Sequence, residues 1–285
     1  MAILGVPFES TQALPGAKMG PRGIRNGSSI YGLSDLGYYD HEFDEYFLED
    51  VRIVDCGDVD MIHMDTQQCL QNAYEDALEL ISKNVLLVVM GGDHAVSIPI
   101  VRAFKDKGPM HVVQFDAHLD FVDERFGVRE GHGNPVRRIS EMEHVSGITQ
   151  IGIRGPGSSG REDFDAARAY GSTIIGPRQF RRVGVERVVE MLPDNSKFYV
   201  TIDVDVLDPA LAPAAGTPSP GGLDYFELTD TLKGIAMKGD VVGFDFCEVA
   251  PVYDTPNAIT CQLAARIILD FIGAIFSERQ KKVSP

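Results

Sequence analysis

The stretch VVQFDAHLDF, Val112 to Phe121, opens as an apolar, β-branched run and then sets Asp116, His118 and Asp120 at every second position. A short run that is apolar on both faces reads as a strand of a parallel sheet covered by helices on both sides. Open α/β sheets bind ligands at the carboxyl ends of their strands. Three groups that resist burial, placed at such an end, therefore mark a ligand site. Side chains two apart on a strand share a face. Asp116 and His118 are expected to point the same way, with Asp120 just past the strand.

Working outward, short strand-like runs alternate with longer helical patterns. The candidate strands are AILGVPF, VRIVDCG, VLLVVMGG, MHVVQFDAH, ITQIGIRG, STIIG, KFYVTIDVDV and VVGFDFCEV. Candidate helices lie near 66–83, 97–107, 135–145, 159–170, 181–192, 225–238 and 258–279. Asn134 followed by Pro135 reads as an N-cap with proline at the first helical position. Asp224 with Glu227 reads as a capping box. The alternation predicts an α/β fold, a three-layer α/β/α sandwich around a mostly parallel sheet. Without a linker, low-complexity stretch or internal repeat, residues 1–285 are expected to form a single domain.

Other strand ends repeat the chemistry of the first. GGDH, Gly91 to His94, follows one; TIDVDVLDP puts Asp203 and Asp205 at another, expected to share a face; FDFCEVA puts Glu248 at a third. Four aspartates packed together repel one another, and burial raises their pKa values. Two divalent cations would balance four aspartates, and His94 and His118 would complete the shells as neutral nitrogen ligands. Such mixed oxygen and nitrogen ligation suits Mn²⁺ and also fits Ni²⁺, Co²⁺ or Zn²⁺. Paired cations lower the pKa of a bound water, so the reaction class expected is hydrolysis. His132, in EGHGNP, is either an idle loop histidine or a proton shuttle at the pocket rim. Glu248 either caps a loop or receives a cationic substrate through paired charge-assisted hydrogen bonds. The glycines of GGDH and GGLD read as turn formers, and with no Walker or GxGxxG pattern no nucleotide is expected.

Composition narrows the partners. The 285 residues carry 26 Lys plus Arg against 42 Asp plus Glu, a net charge of −16, which favours a small cationic substrate over nucleic acid. Cys56, Cys69, Cys247 and Cys261 form no CxxC pair, as expected in a reducing cytoplasm. MAILGVPFES lacks the features of a signal peptide. Arg266 and Asp270 interrupt the C-terminal apolar stretch, so no membrane association is expected.

Together these motifs resemble the ureohydrolase family of arginases, agmatinases and related guanidino-compound hydrolases. The resemblance covers nearly the whole chain, through PGAKMGPRGIR, GGDH, FDAHLD, HGNPVRR, TIDVDVLDPALAPAAGTPSPGG and VVGFDFCEVAPVYD. It implies an eight-stranded sheet, a homo-oligomer (trimer or hexamer) and two Mn²⁺ per chain, with Ni²⁺ as an alternative. His94, Asp116, Asp120 and Asp203 look like ligands of one ion, and Asp116, His118, Asp203 and Asp205 like ligands of the other. His132 matches the family's catalytic histidine and Glu248 the acid that holds the guanidinium. The mechanism implied is attack of a metal-bridging hydroxide on the guanidinium carbon. A proton reaches the leaving amine by way of Asp120 or His132, and the products are urea and an amine.

Substrate choice is expected to lie in FVDERFGVREG, between Asp120 and His132, and in the loops after the fifth and eighth candidate strands. It lacks the Asn/Ser-rich stretch of arginases. Asp123, Glu124 and Glu130 suggest a distal amine, as in agmatine, the substrate favoured. Arg125 and Arg129 suggest instead a distal carboxylate, as in 4-guanidinobutyrate. Asn134 where relatives carry Thr, Ala215 where Gly is common, and DTPNAITCQ depart from the family pattern. Rival readings are a binuclear metallophosphoesterase, which would need a GNH[DE] motif; a single-zinc deacetylase, which needs three ligands rather than six; and a partner-dependent subunit, a type that typically loses ligands.

Overall fold

The structure, a computed structural model, describes residues 1–283 apart from 11–13, 33, 35–36 and 42–43. Its strands are β1 (Ala2–Val6), β2 (Tyr38–Asp40), β3 (Glu45–Phe47), β4 (Val54–Asp58), β5 (Leu87–Gly91), β6 (Met110–Phe115), β7 (Val145–Ile151), β8 (Thr173–Ile175), β9 (Lys197–Asp203) and β10 (Asp240–Cys247). Its helices are α1 (Gly20–Ser28), α2 (Thr66–Ser82), α3 (Ser97–Ala103), α4 (Pro135–Ser140), α5 (Arg161–Tyr170), α6 (Pro177–Val183), α7 (Val185–Glu190), α8 (Tyr225–Lys238) and α9 (Ile259–Val283). All eight candidate strands form and join one sheet in the order β4-β1-β5-β10-β9-β6-β7-β8. Every pairing within it is parallel.

Alternation along the strands sends side chains to two cores. Val88, Met90, Val113, Phe115, Val200, Ile202 and Phe244 pack with residues of α1 and α6 to α9. Leu87, Val89, Val112 and Tyr199 pack with residues of α2 to α5 on the opposite face. This is the expected three-layer sandwich, and it explains why the central strands carry no polar alternation. α9 is long and apolar enough by composition to span a bilayer, yet most of it is buried inside the fold. It is a core helix packed on α1 and α8.

Some local expectations are corrected. The expected helix at 181–192 is two helices, α6 and α7, divided at Gly184, whose φ of +84° breaks the ladder. Asn134 sits at the N-cap of α4 without a side-chain cap; it instead receives the Gly131 amide at 3.1 Å and donates to Val122 O at 2.7 Å, tying the loop around His132. Asp224 and Glu227 do form the capping box of α8. α1 and the antiparallel hairpin of β2 and β3 were not expected. α1 is rich in glycine, a poor helix former. Tertiary packing selects those glycines: a Cβ on Gly27 would come within 2.6 Å of the backbone of Cys261 on α9.

The topology positions the site. β5, β10, β9 and β6 are the four central strands, although β9 and β10 arrive last in the chain. The carboxyl ends of β5, β6, β9 and β10 carry His94, Asp116, Asp203 and Glu248 into one region of the sheet edge.

Candidate active site

Strand geometry alone does not aim the aspartates. β6 ends at Phe115 and β9 at Asp203, so Asp116, His118 and Asp205 lie beyond the strands rather than on one strand face, contrary to expectation. The cause is local. Asp116 Oδ1 accepts the His118 amide at 2.6 Å, and Asp203 Oδ1 accepts the Asp205 amide at 2.8 Å. These aspartate turns bend each segment out of the sheet as soon as it leaves it. Asp205 Oδ1 in turn accepts the Ala117 amide at 3.0 Å, stitching the two turns together. Gly91 and Gly92 have no positive φ, so they do not form a left-handed turn. Gly92 is needed for close approach, since a Cβ there would lie 1.9 Å from the Phe8 carbonyl oxygen.

The result is a buried His/Asp cluster. His94 Nδ1 lies 3.0 Å from Asp116 Oδ2, 3.0 Å from Asp120 Oδ2 and 3.5 Å from Asp203 Oδ2. His118 Nδ1 lies 3.0 Å from Asp205 Oδ2 and 3.6 Å from Asp116 Oδ1. Two groups of donor atoms emerge, His94 with Asp116 and Asp120, and Asp116 with His118 and Asp205, sharing Asp116. Donors that share one octahedral cation with bonds of about 2.1 Å stand about 3.0 Å apart. The His94 Nδ1 atom is buried without a hydrogen-bond partner despite this company. An orphaned imidazole nitrogen at coordination spacing from three carboxylates fits a cation between them.

The far side of His94 explains its orientation. Thr201 donates its hydroxyl to Asp245 Oδ1 at 2.6 Å, so its Oγ1 accepts from His94 Nε2 at 2.7 Å. The proton on Nε2 leaves the Nδ1 lone pair facing the aspartates. Asp245 is fully buried and also receives Tyr199 OH at 2.6 Å and Ser97 Oγ at 2.9 Å. A second support holds Asp116, whose Oδ2 receives Gln114 Nε2 at 2.7 Å, while Gln150 Nε2 donates to Gln114 Oε1 at 2.7 Å. Arg154 clamps the Asp205–Leu207 turn through backbone carbonyls, including Asp205 O at 2.7 Å. Thr201, Asp245, Gln114, Gln150 and Arg154 were missed in the sequence. The available signal was a polar side chain interrupting an otherwise apolar central strand, as Thr201 does in FYVTI and Asp245 in GFDF.

Crowding sets the protonation of the metal-free cluster. Burial, with Asp120, Asp203 and Asp205 adding to it, raises the Asp116 carboxyl well above its usual range. Burial and the Asp205 charge push Asp203 to about 7. Burial opposes charge on His118, yet its bond to Asp205 and the neighbouring aspartates lift it to about 10. His94 is likewise raised well above its usual value by Asp116, Asp120 and Asp203 against the opposing effect of burial. Protons and cations compete for such a cluster.

A cavity of about 600 Å³ opens on the cluster, lined among others by His118, Asp120, His132, Asp203 and Glu248. Glu248 is buried, and its Oε1 accepts the His94 amide at 2.8 Å. Burial, together with Asp203 and Asp93, raises its carboxyl well above the usual range. Asp120 and Glu248 both hold left-handed backbone, with φ of +51° and +64°. Such conformations cost stability and cluster where geometry matters. Asp123 and Glu124 are exposed and do not line the cavity. Asp123 is engaged by Arg129 at 3.0 Å and by Arg138. Arg125 does line it.

Fold and site together define an enzyme of the α/β/α class built around a His/Asp metal-binding cluster. Residues 1–273 match the model of the Arginase family. A guanidinopropionase of Pseudomonas aeruginosa is 35% identical over 289 residues, covering 95% of this chain and 85% of that protein. An agmatinase of Bacillus anthracis is 34% identical over 260 residues, covering 89% and 84%. The structure of a proclavaminate amidino hydrolase from Streptomyces clavuligerus superposes with a TM-score of 0.87 at 31% identity, covering 97% of this chain and 92% of that one. The chain belongs to the arginase family and is an amidinohydrolase.

Proposed function

We propose that this protein hydrolyses the guanidino group of a small guanidino compound, releasing urea and an amine. The observation that carries this reading is the pairing, on one cavity, of the His/Asp cluster with the buried acid Glu248. In this reading His94, Asp116, Asp120 and Asp203 hold one divalent cation, and Asp116, His118, Asp203 and Asp205 hold a second, with manganese or nickel as the metal. When bound, the pair supplies Lewis-acid activation of a water at neutral pH. Glu248 receives the guanidinium through charge-assisted hydrogen bonds and fixes its carbon over the cluster. As a substrate cation enters, the raised carboxyl of Glu248 is favoured to ionise against it. Asp120 and His132 flank the same space, where a proton passes to the leaving amine nitrogen. The excess of acidic residues draws a cationic group towards the cavity.

The sequence favours agmatine on the strength of Asp123, Glu124 and Glu130. None of the three lines the cavity, and Glu130 pairs with Arg102 at 2.6 Å, which leaves that preference without the carboxylates it was built on. The test is urea release by manganese- or nickel-loaded protein on agmatine, arginine, 3-guanidinopropionate, 4-guanidinobutyrate and simple alkylguanidines. His132→Ala is expected to keep its metals and lose about 10²- to 10⁴-fold in kcat. Full activity in that variant refutes the shuttle, and absence of urea from every compound refutes the hydrolase reading.

A further inference from the structure

The cavity lining carries both signs of charge. Glu248, Asp120 and Asp203 line it, and so does Arg125. Among the described residues, Arg125 differs from its neighbours in having no acidic partner. Arg129 pairs with Asp123 at 3.0 Å, Arg137 with Glu141 at 3.4 Å, Arg138 with Glu141 at 3.0 Å, and Arg102 with Glu130 at 2.6 Å. Among the described residues, no carboxylate lies within ion-pair distance of Arg125, and its side chain has one hydrogen-bond acceptor, the carbonyl of Ser158, itself a lining residue. Its remaining N–H groups have no protein acceptor among the described residues.

A tight turn fixes the main chain at Arg125. Arg125 and Val128 exchange two backbone hydrogen bonds of 2.9 Å. The intervening Phe126 and Gly127 have φ of +50° and +81°, the mark of a two-residue hairpin turn with both central residues left-handed. Glycine suits that turn; a phenylalanine there is strained. Phe126 lines the cavity while its side chain stays 88% exposed. The Arg125 guanidinium lies over Gly133, where a Cβ would stand 4.0 Å from Cζ and Nη1, next in sequence to His132.

We propose that Arg125 binds the distal carboxylate of the substrate, which makes the substrate an ω-guanidino acid rather than a guanidino amine. This rests on the hydrolase reading above. A guanidinium meets Glu248 at one end, a carboxylate meets Arg125 at the other, and the Phe126 ring covers the methylenes between them. A planar guanidinium receives a carboxylate through two parallel bonds. The terminal ammonium of agmatine would instead face an unpaired like charge.

The experiment compares kcat/KM of metal-loaded protein for 3-guanidinopropionate, 4-guanidinobutyrate, agmatine and propylguanidine, which has no distal charge. One of the two acids is expected to exceed both agmatine and propylguanidine by about 10- to 100-fold, the scale of a charge-assisted pair. Arg125→Ala is expected to remove that advantage through KM while leaving propylguanidine turnover within about twofold, and Arg125→Lys to restore part of it. Preference of the wild type for agmatine overturns the proposal. So does an equal loss on the acid and on propylguanidine in Arg125→Ala, which would mark a merely structural residue. Should no compound release urea, the hydrolase reading fails, and calorimetric binding to the same loaded protein decides this one. Weakening of the better-bound acid about tenfold by Arg125→Ala supports it, and unchanged binding overturns it.

Discussion

Replacing Thr201 by valine keeps the shape of the side chain and deletes one oxygen. That oxygen accepts from His94 Nε2 at 2.7 Å in a site where Thr201 and His94 are both fully buried. The variant leaves the Nε2 proton without an acceptor, at a cost of about 1–3 kcal/mol for a buried donor. The imidazole can escape this only by moving its proton to Nδ1, the atom that faces Asp116, Asp120 and Asp203. That tautomer cannot bind a cation, so either way the cost falls on the metal-bound state. At about 1.4 kcal/mol per decade, affinity is expected to drop about 10- to 100-fold. Chelator competition against Mn²⁺ measures it directly, with metal per chain counted by mass spectrometry. Melting of the metal-free variant serves as a control for folding. A Thr201→Val protein that holds manganese as tightly as the wild type would show that the Thr201 contact does not set the His94 tautomer.

Asp116 belongs to both donor groups and His118 to one. Asp116→Ala is therefore expected to retain almost no manganese after desalting, whereas His118→Ala keeps close to one ion per chain; equal retention in the two variants argues against a shared ligand. The metal-free protein should lose stability as pH rises. Asp203 titrates near 7 when folded but near the ordinary aspartate value, about 3.8, when unfolded, so between those limits the folded chain holds the extra proton and each pH unit costs it up to about 1.4 kcal/mol. His118, lifted to about 10, continues the decline above its unfolded value near 6.5. The melting temperature of stripped protein is thus expected to fall from pH 5 to pH 8 while that of manganese-loaded protein does not; a stripped protein that gains stability over this range contradicts the cluster's protonation.

The sequence by itself determined the layers and the donors. Strand runs, helix periods and the motifs GGDH, DAHLD and DVD are local patterns, carried by residues within a few positions of one another. The central strands of the sheet could be read directly because their burial on both faces leaves an apolar run in the chain. Tertiary structure alone decided what those donors meet. Thr201 and Asp245 are 44 positions apart and hydrogen-bond because β9 and β10 lie side by side in the centre of the sheet. α1 was hidden because its glycines oppose a helix locally and are explained only by the surface of α9. Within FVDERFGVREG the acids and arginines alternate too closely for composition to choose between a distal amine and a distal carboxylate. The turn at Phe126 and Gly127 separates them, with Asp123 engaged by Arg129 and Arg138 and Arg125 turned to the cavity. Charge in a loop can be read from sequence, but which charges neutralise each other depends on distances that only the folded chain fixes.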